Sequence, residues 1–227
     1  MTDQKTLHIF VGPTGHDLPR SWKYPQGCEI HAPVKRGDIG AISALGTQPA
    51  SILIVDGVFH TYPAVGHVEI RNAIGRGWAV WGTSSMGAIR AAEMATLGMK
   101  GFGRVYEMFA SEGLDDDEVT LLHEATSPYT GLSEPLVHMR ALLHSMNARG
   151  LITEVAQDRI VASLKSRWYG YRSLRVLGDL LATVGELAPE VVREELEQMH
   201  KYKLKTFDMM RFIEFFCPTA LEGSDRD

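Results

Sequence analysis

The stretch VWGTSSMGAIRAAEM, residues 80–94, passes from apolar residues into small polar ones and then into an alanine-rich segment. The apolar start is typical of a buried β-strand, and the alanine-rich end favours an α-helix. Two adjacent serines, Ser84 and Ser85, stand at the junction. A strand that leads directly into a helix is the repeating unit of α/β proteins, so this stretch sets the expectation for the chain around it.

The same alternation of strand-like and helix-like segments runs through the first half of the chain. ASILIVDG, residues 50–57, is apolar almost throughout, which is typical of a strand covered on both faces in a parallel sheet. We also predict a strand over GRVYEMFAS, residues 103–111. Alternation of this kind implies right-handed crossovers, so the predicted fold is α/β, with a doubly wound, mostly parallel, Rossmann-like sheet. The other predicted strands cover residues 6–12, 28–33 and 78–82, and the predicted helices cover residues 37–46, 63–77 and 85–98.

The pattern changes after about residue 126, where the segments become longer and take helical spacing. We predict an α/β core domain over residues 1–126 and an all-helical C-terminal extension over residues 134–216. The last residues, 217–227, are mostly small or charged and are predicted to be disordered.

Composition is that of an ordinary globular protein. The 227 residues carry a formal net charge of −5, which argues against a nucleic-acid partner because phosphate binding usually needs a basic surface. The two cysteines, Cys28 and Cys217, are far apart, so we expect neither a disulfide framework nor a zinc cluster. The N-terminal apolar run is too short for a signal peptide, and no run approaches the roughly 20 residues of a membrane span. We therefore expect a cytoplasmic protein with no membrane partner.

Three predicted strand ends carry residues suited to binding or catalysis. Gly12 follows the first strand, Asp56 and Gly57 follow the strand at residues 50–57, and Ser84 and Ser85 follow the strand at residues 78–82. Ligands of a doubly wound sheet bind beyond the carboxyl ends of its strands, so these residues are candidates for one site.

Ser85, Met86 and Gly87 have the Ser-x-Gly spacing of a nucleophile elbow, the turn that presents the catalytic serine of many hydrolases. Thr83 stands where that pattern has its first glycine. The main-chain N–H groups at the start of the following helix would bind an anion or an oxyanion. A simpler interpretation is that Ser84 or Ser85 caps the helix, which contributes about 1 kcal/mol, and the local pattern alone favours the cap.

A nucleophilic serine needs a base, and two histidines are candidates. His67 lies on the helix that follows Asp56, whose carboxylate could orient the imidazole, and His60 lies in the intervening loop. The alternative is that His67 is an ordinary surface or packed histidine, and the residues around it by themselves favour that role.

Arg90 and Glu93 follow the serines at a spacing of three residues. As a plain surface pair they would contribute only a few tenths of a kcal/mol. The alanines around them make a helix that packs closely, so Arg90 could instead bind a carboxylate or phosphate with two parallel hydrogen bonds. We count both residues among the candidates for substrate or anion binding.

Four acidic residues, Asp115, Asp116, Asp117 and Glu118, stand in a row in the segment GLDDDEV. A solvated loop or a set of ion pairs is the favoured interpretation, and a Mg²⁺ site is the alternative, since hard cations take oxygen ligands. The histidines lack the spacing of a zinc protease, and no Walker A or G-x-G-x-x-G motif occurs. We expect no resident metal and no cofactor, with Mg²⁺ as the weakly supported exception.

Three long motifs resemble the TfuA-like family: IVDGVFHTYPAVGHVEIRNAIGRG at residues 54–77, WGTSSMGAIRAAEMATLGMKGFGRVYEMF at residues 81–109, and DDDEVTLLH at residues 115–123. The resemblance covers about residues 7–140. Thr83 stands where the family usually has Ala, and Ile89 where it usually has Leu.

The resemblance implies a partner of YcaO-type enzymes, the ATP-dependent cyclodehydratases or thioamide synthetases that install sulfur in ribosomally made peptides. It implies that this chain obtains or delivers the sulfur. The mechanism that fits the residues is hydrolysis of a thiocarboxylate on a small ThiS-like sulfur-carrier protein. Ser85 would attack, His67 would be the base and Asp56 would orient it.

Two alternatives remain open at this point. The chain could be a non-catalytic accessory protein that docks and activates the YcaO enzyme. It could instead bind a nucleotide with Mg²⁺ through Gly12, Asp56 and the acidic segment. A homodimer is compatible with each of these interpretations.

Overall fold

The structure is a computed structural model that describes residues 6–45, 49–58 and 62–217. Five strands alternate with helices in the first half of the chain. The strands are β1 Leu7–Phe10, β2 Cys28–His31, β3 Ser51–Ile54, β4 Ala79–Gly82 and β5 Lys100–Gly101. The helices are α1 Pro13–His16, α2 Asp38–Leu45, α3 His67–Gly75, α4 Met86–Met94, α5 Arg104–Ser111, α6 Leu136–Ala148, α7 Glu154–Lys165, α8 Leu174–Thr183, α9 Pro189–Glu197 and α10 Leu204–Phe216. Short 3₁₀ segments are Ala95–Leu97, Asp116–Glu118, Tyr169–Tyr171 and Gln198–Tyr202.

The strands form one five-stranded sheet in the order β2-β1-β3-β4-β5, and every pairing in it is parallel. This confirms the predicted α/β fold with a Rossmann-like parallel sheet. The strand order reverses between β1 and β3, and such a switch point opens a crevice at the carboxyl ends of the two strands.

Apolar side chains cover both faces of the sheet. Ile52 and Ile54 of β3 belong to the cluster on one face, and Leu53 belongs to the cluster on the other. All four residues of β3 are buried, as the uninterrupted apolar run predicts. On the Leu53 face the sheet packs against Met209, Phe212 and Ile213 of α10.

The predicted strand over residues 103–111 is wrong, because the structure has helix α5 at Arg104–Ser111. Val105 and Met108, three residues apart, are the buried residues of this helix, a spacing that suits a helix rather than a strand. Its first main-chain N–H groups, at Arg104 and Val105, donate to the carboxylate of Asp208 at 2.9 and 2.8 Å. That carboxylate supplies the cap that the local sequence lacks.

The chain divides into two compact units. The sheet unit comprises the residues up to Ser111 together with those from Thr206 onward, and the helical unit is Glu112–Lys205. The helical unit has its own apolar core, which includes Leu142, Met146 and Ile160. The bounds of these two units differ from those of the predicted domains, residues 1–126 and 134–216, and that domain division stays a prediction.

Of the predicted tail, residues 218–227 lie outside the described part of the chain. No helix among the described residues is both long enough and apolar enough to cross a membrane.

Candidate functional site

Asp56 stands at the carboxyl end of β3 and reaches across the switch point to the loop after β1. Its buried carboxylate accepts hydrogen bonds from the main-chain N–H groups of Gly12 and Thr14, both at 2.9 Å, and from Thr14 Oγ1 at 2.7 Å. These neutral donors hold the β1 loop against β3. The structure therefore brings together two of the three predicted strand ends through Asp56.

Gly12 and Gly57 are predicted to bind a ligand, and the structure gives both a packing reason. A Cβ atom on Gly12 would lie 2.3 Å from Cγ of Pro33, and one on Gly57 would lie 2.6 Å from Cγ of Met86. A side chain at either position would displace its neighbour. Ligand binding by these glycines stays a prediction.

The turn between β4 and α4 contains a backbone conformation that is unusual for its residue type. Ser84 has φ of +65°, in the left-handed region that residues other than glycine rarely adopt. Such a conformation costs on the order of 1–3 kcal/mol and concentrates at functional sites. Ser84 and Ser85 are both buried. The strained residue of this elbow is thus Ser84, one position before the predicted Ser85.

Ser85 occupies the N-cap position of α4, but its side chain makes no capping hydrogen bond to the helix within the described residues. The hydroxyls of the turn have other contacts. Thr83 Oγ1 donates to the carbonyl of Phe102 at 2.8 Å, and Ser84 Oγ donates to Thr83 Oγ1 at 3.4 Å. The simple cap interpretation therefore does not account for the serine at position 85.

Gly87, the glycine of the elbow pattern, allows α4 to approach the sheet. A Cβ atom there would lie 1.7 Å from the carbonyl oxygen of Ile54, and one on Gly82 would lie 2.0 Å from the carbonyl oxygen of Gly87. No side chain fits at these distances. The close crossing of α4 over the ends of β3 and β4 explains why this turn needs glycine on both sides of its serines.

The first amides of α4 are partly engaged by main-chain carbonyls. Gly87 N–H donates to Val55 O at 3.3 Å, and Ala88 N–H donates to Thr83 O at 3.1 Å. Oxyanion binding at the start of this helix is predicted for Met86 and Gly87. In this conformation the N–H of Gly87 points to a protein carbonyl instead.

Arg90, Glu93 and His67 form one hydrogen-bonded cluster, which links α4 to α3. Glu93 Oε2 accepts from Arg90 Nη1 at 2.6 Å and lies 2.8 Å from Nε2 of His67. Arg90 Nε donates to the carbonyl of Val65 at 3.0 Å. A carboxylate does pair with the imidazole of His67, as expected for an oriented base, but α4 supplies it through Glu93. His60, the second candidate base, lies outside the described residues.

The acidic segment belongs to the helical unit and is bound by basic side chains. Glu118 is buried and accepts from Arg140 Nε at 2.6 Å and from Lys165 Nζ at 3.0 Å. Asp115 lies 2.6 Å from the same Lys165, whose hydrogen bond lowers the pKa of this aspartate. Asp117 pairs with the buried Arg172. The carbonyl of Asp116 accepts from Thr120 Oγ1. These contacts favour the ion-pair interpretation of the segment over a Mg²⁺ site.

The sequence model of the family described as TfuA-like protein matches residues 56–173, which is more than half of the chain. The chain belongs to the TfuA-like family. The matched range begins at Asp56 and includes the elbow, the His67–Glu93–Arg90 cluster and the acidic segment. Among curated proteins, none matches the sequence.

Reasoning from sequence missed two residues at the strand ends of this TfuA-like protein. Thr14 donates two hydrogen bonds to Asp56, and Thr83 joins the elbow to Phe102. Both are threonines within a few residues of a predicted strand end, which is a signal that could have identified them. Their partners, Asp56 and Phe102, follow other strands of the sheet, so the local sequence gives no indication of the pairing.

Proposed function

We propose that this TfuA-like protein releases sulfide from a thiocarboxylated, ThiS-like carrier protein and supplies it to a YcaO-type enzyme that thioamidates a peptide backbone. The observation that carries the proposal is the strained, buried Ser84 at the β4–α4 turn. A serine on a strained strand-to-helix turn is the arrangement from which nucleophile elbows attack acyl groups. Family membership supplies the context of sulfur transfer.

In the proposed reaction, the hydroxyl oxygen of Ser84 attacks the thioacyl carbon of the carrier's C-terminus. The carbon–sulfur bond breaks, the proton of the serine passes through the base to sulfur, and hydrosulfide leaves. Water then hydrolyses the acyl-serine ester, which returns the serine and a carrier that ends in an ordinary carboxylate. Neither step changes an oxidation state, so no redox partner is needed.

We assign the base to His67 and its orientation to Glu93. A general base acts best when a third group fixes its ring, and Glu93 bonds Nε2 of this imidazole, which leaves Nδ1 to accept a proton. Arg90 in turn holds Glu93. In this scheme Asp56 does not orient the base but fixes the loop after β1 through Gly12 and Thr14.

A second candidate function is a non-catalytic accessory role, in which the chain docks on the YcaO enzyme and activates it. It is favoured by two observations at the elbow. The charge of Arg90 is offset by Glu93, and the N–H groups of Gly87 and Ala88 are bonded to protein carbonyls. Both leave fewer groups to stabilise a reacting anion.

The test is release of sulfide from a purified thiocarboxylated carrier, measured by a colorimetric sulfide assay. We expect Ser84→Ala to lower the rate on the order of 10³-fold or more, and His67→Ala to lower it about 10²-fold or more. Ser43→Ala, which changes a buried serine in α2, is the matched control and keeps the wild-type rate.

Three outcomes separate the assignments. No release by the wild-type protein would reject hydrolysis and favour the accessory role, which a pull-down with the YcaO enzyme then examines. Full activity in Ser84→Ala together with loss in Ser85→Ala would move the nucleophile to Ser85. Equal activity in all variants would show that neither serine attacks the carrier.

A further inference from the structure

His8, Glu29 and His31 lie together on one face of the sheet, at the edge formed by β2. His8 of β1 is paired in register with Glu29 of β2, and His31 follows Glu29 by two residues. Side chains two residues apart in a strand point to the same face. The three therefore share the face that also carries Phe10. In the sheet order β3 separates them from β4, the strand that leads into the elbow.

The polar atoms of these side chains converge. His8 Nδ1 lies 3.1 Å from His31 Nε2 and 3.2 Å from Glu29 Oε2, and the three potential ligand atoms all lie within 4.8 Å of one another. Among the described residues, this is the one group of three or more His, Cys, Asp or Glu side chains with such spacing. In a tetrahedral Zn²⁺ site with bonds of 2.0–2.1 Å, neighbouring ligand atoms are about 3.3 Å apart.

A network of hydrogen bonds alone accounts poorly for this convergence. The Nδ1 atom of His8 carries at most one proton, so it can donate to Glu29 or to His31 but not fully to both. A divalent cation would accept lone pairs from all three groups at once. The carboxylate of Glu29 would offset part of its charge.

Neighbouring aromatic rings hold the two imidazoles in place. The ring of His31 stacks on Phe10 with centroids 4.9 Å apart, and the ring of His8 lies 5.7 Å from that of Trp78. Burial lowers the pKa of His8, and the neighbouring His31 lowers it further against the opposing effect of Glu29.

We propose that His8, Glu29 and His31 bind one divalent transition metal ion, with Zn²⁺ the best match. Two histidines and one carboxylate form a ligand set found in zinc enzymes that keep a fourth position for water or substrate. Glu29 has an exposed side chain, so the ion and its fourth ligand would be reached from solvent. The site is independent of the proposed serine chemistry.

The test uses the tag-free full-length protein, stripped of metal with a chelator and titrated with Zn²⁺ by isothermal calorimetry. We expect one ion per chain. Glu29→Gln, a change at an exposed side chain that should not affect folding, weakens binding about tenfold or more, and His31→Ala weakens it about 100-fold or more. Circular dichroism checks that each variant is folded.

Two controls distinguish this site from other sources of zinc affinity. Cys28 and Cys217 have sulfurs 3.9 Å apart and are an alternative zinc-binding pair. Because the proposed site does not use them, Cys217→Ser is expected to keep the wild-type affinity for Zn²⁺. His200→Ala, at an exposed histidine of the helical unit, is also expected to keep it. Co²⁺ loaded in place of Zn²⁺ should give a tetrahedral visible spectrum without the near-ultraviolet band of a thiolate ligand.

Stoichiometric binding that is lost in both Glu29→Gln and His31→Ala would support the proposal. Failure of the stripped wild-type protein to bind Zn²⁺ would overturn it and leave a hydrogen-bonded cluster. Binding that survives in both variants, or that disappears in Cys217→Ser, would overturn it as well.

Discussion

In the sheet unit the buried carboxylates of Asp56 and Asp208 accept hydrogen bonds from main-chain N–H groups. In the helical unit the buried carboxylates of Glu118 and Glu134 are instead bound by basic side chains. The basic partners are Arg140 and Lys165 for Glu118, and Lys203 and His138 for Glu134. All four of these acidic residues are buried, so the difference lies in their partners and not in their exposure.

The difference has a consequence for proton affinity. Burial raises the pKa of Asp208 to about 6, because the bonds from Arg104 and Val105 offset only part of the desolvation. Burial would also raise the pKa of Glu134, but the hydrogen bonds from His138 and Lys203 and the charge of Lys203 outweigh it, and the pKa is lowered. At Asp208 desolvation outweighs the main-chain hydrogen bonds, whereas at Glu134 the basic partners outweigh desolvation.

The sheet unit depends on close approach of main chains, so the largest effect is expected at Gly87. Gly87→Ala places a Cβ atom 1.7 Å from the carbonyl of Ile54. We expect a loss of at least about 5 kcal/mol in the free energy of unfolding, or failure to fold, because α4 must move off β3. Urea denaturation followed by circular dichroism measures it.

The matched control for Gly87 is Gly40, inside α2, where a Cβ atom would meet nothing within 4 Å. Gly40→Ala is expected to raise the free energy of unfolding by about 0.5–1 kcal/mol. Similar values for the two alanine variants would contradict the close-packing argument.

The second-largest effect on the free energy of unfolding is expected at Glu134 in the helical unit. Glu134→Gln leaves the partly buried Lys203 without its ionic partner, which we expect to cost about 3–5 kcal/mol at pH 7. Because the folded-state pKa is lowered, the stability that this group contributes is present above pH 4.5 and is lost as the pH falls below it. A variant whose stability falls with acid as steeply as that of the wild type would contradict this role.

Asp208 should show the opposite dependence on pH. Its folded-state pKa of about 6 exceeds the ordinary value of 3.8, so the stability it contributes is full below about pH 4 and is lost as the pH rises to about 6. The change is at most about 3 kcal/mol, at 1.36 kcal/mol per pKa unit. Stability of the wild type minus that of Asp208→Asn, measured from pH 3.5 to 7, should fall across this window. A flat difference would mean that the carboxylate is already ionised at acidic pH.

The smallest effect on stability is expected at Ser84. Ser84→Gly keeps the left-handed backbone conformation but removes its strain, so it should stabilise the protein by about 1 kcal/mol. The same change should abolish sulfide release if this serine attacks the carrier. Glu186 has φ of +55° in the helical unit and is the matched control. Glu186→Gly should stabilise to a similar degree and leave release unchanged, and thermal unfolding with the sulfide assay measures both. Destabilisation by Ser84→Gly would show that the side chain matters more than the strain.

The sequence predicted most of the sheet because its signals are local. The apolar run of β3 and the glycine-bounded run of β4 identified strands without any knowledge of their neighbours. The signal failed at α5, whose residues alternate well enough for a strand until Asp208, about a hundred residues later, caps it as a helix. Contacts so distant in sequence leave no trace in a local window.

At the candidate site, the sequence by itself determined which residues stand at strand ends and that a serine turn joins β4 to α4. Only the tertiary structure decided that the strained residue is Ser84, that Glu93 bonds His67, and that His31 of β2 meets His8 of the neighbouring strand β1. The physical reason is that strand ends and turns follow from apolar spacing and glycine within a few residues. Hydrogen-bond partners are decided by register and by how closely helices approach the sheet, and those follow from the packing of the whole unit.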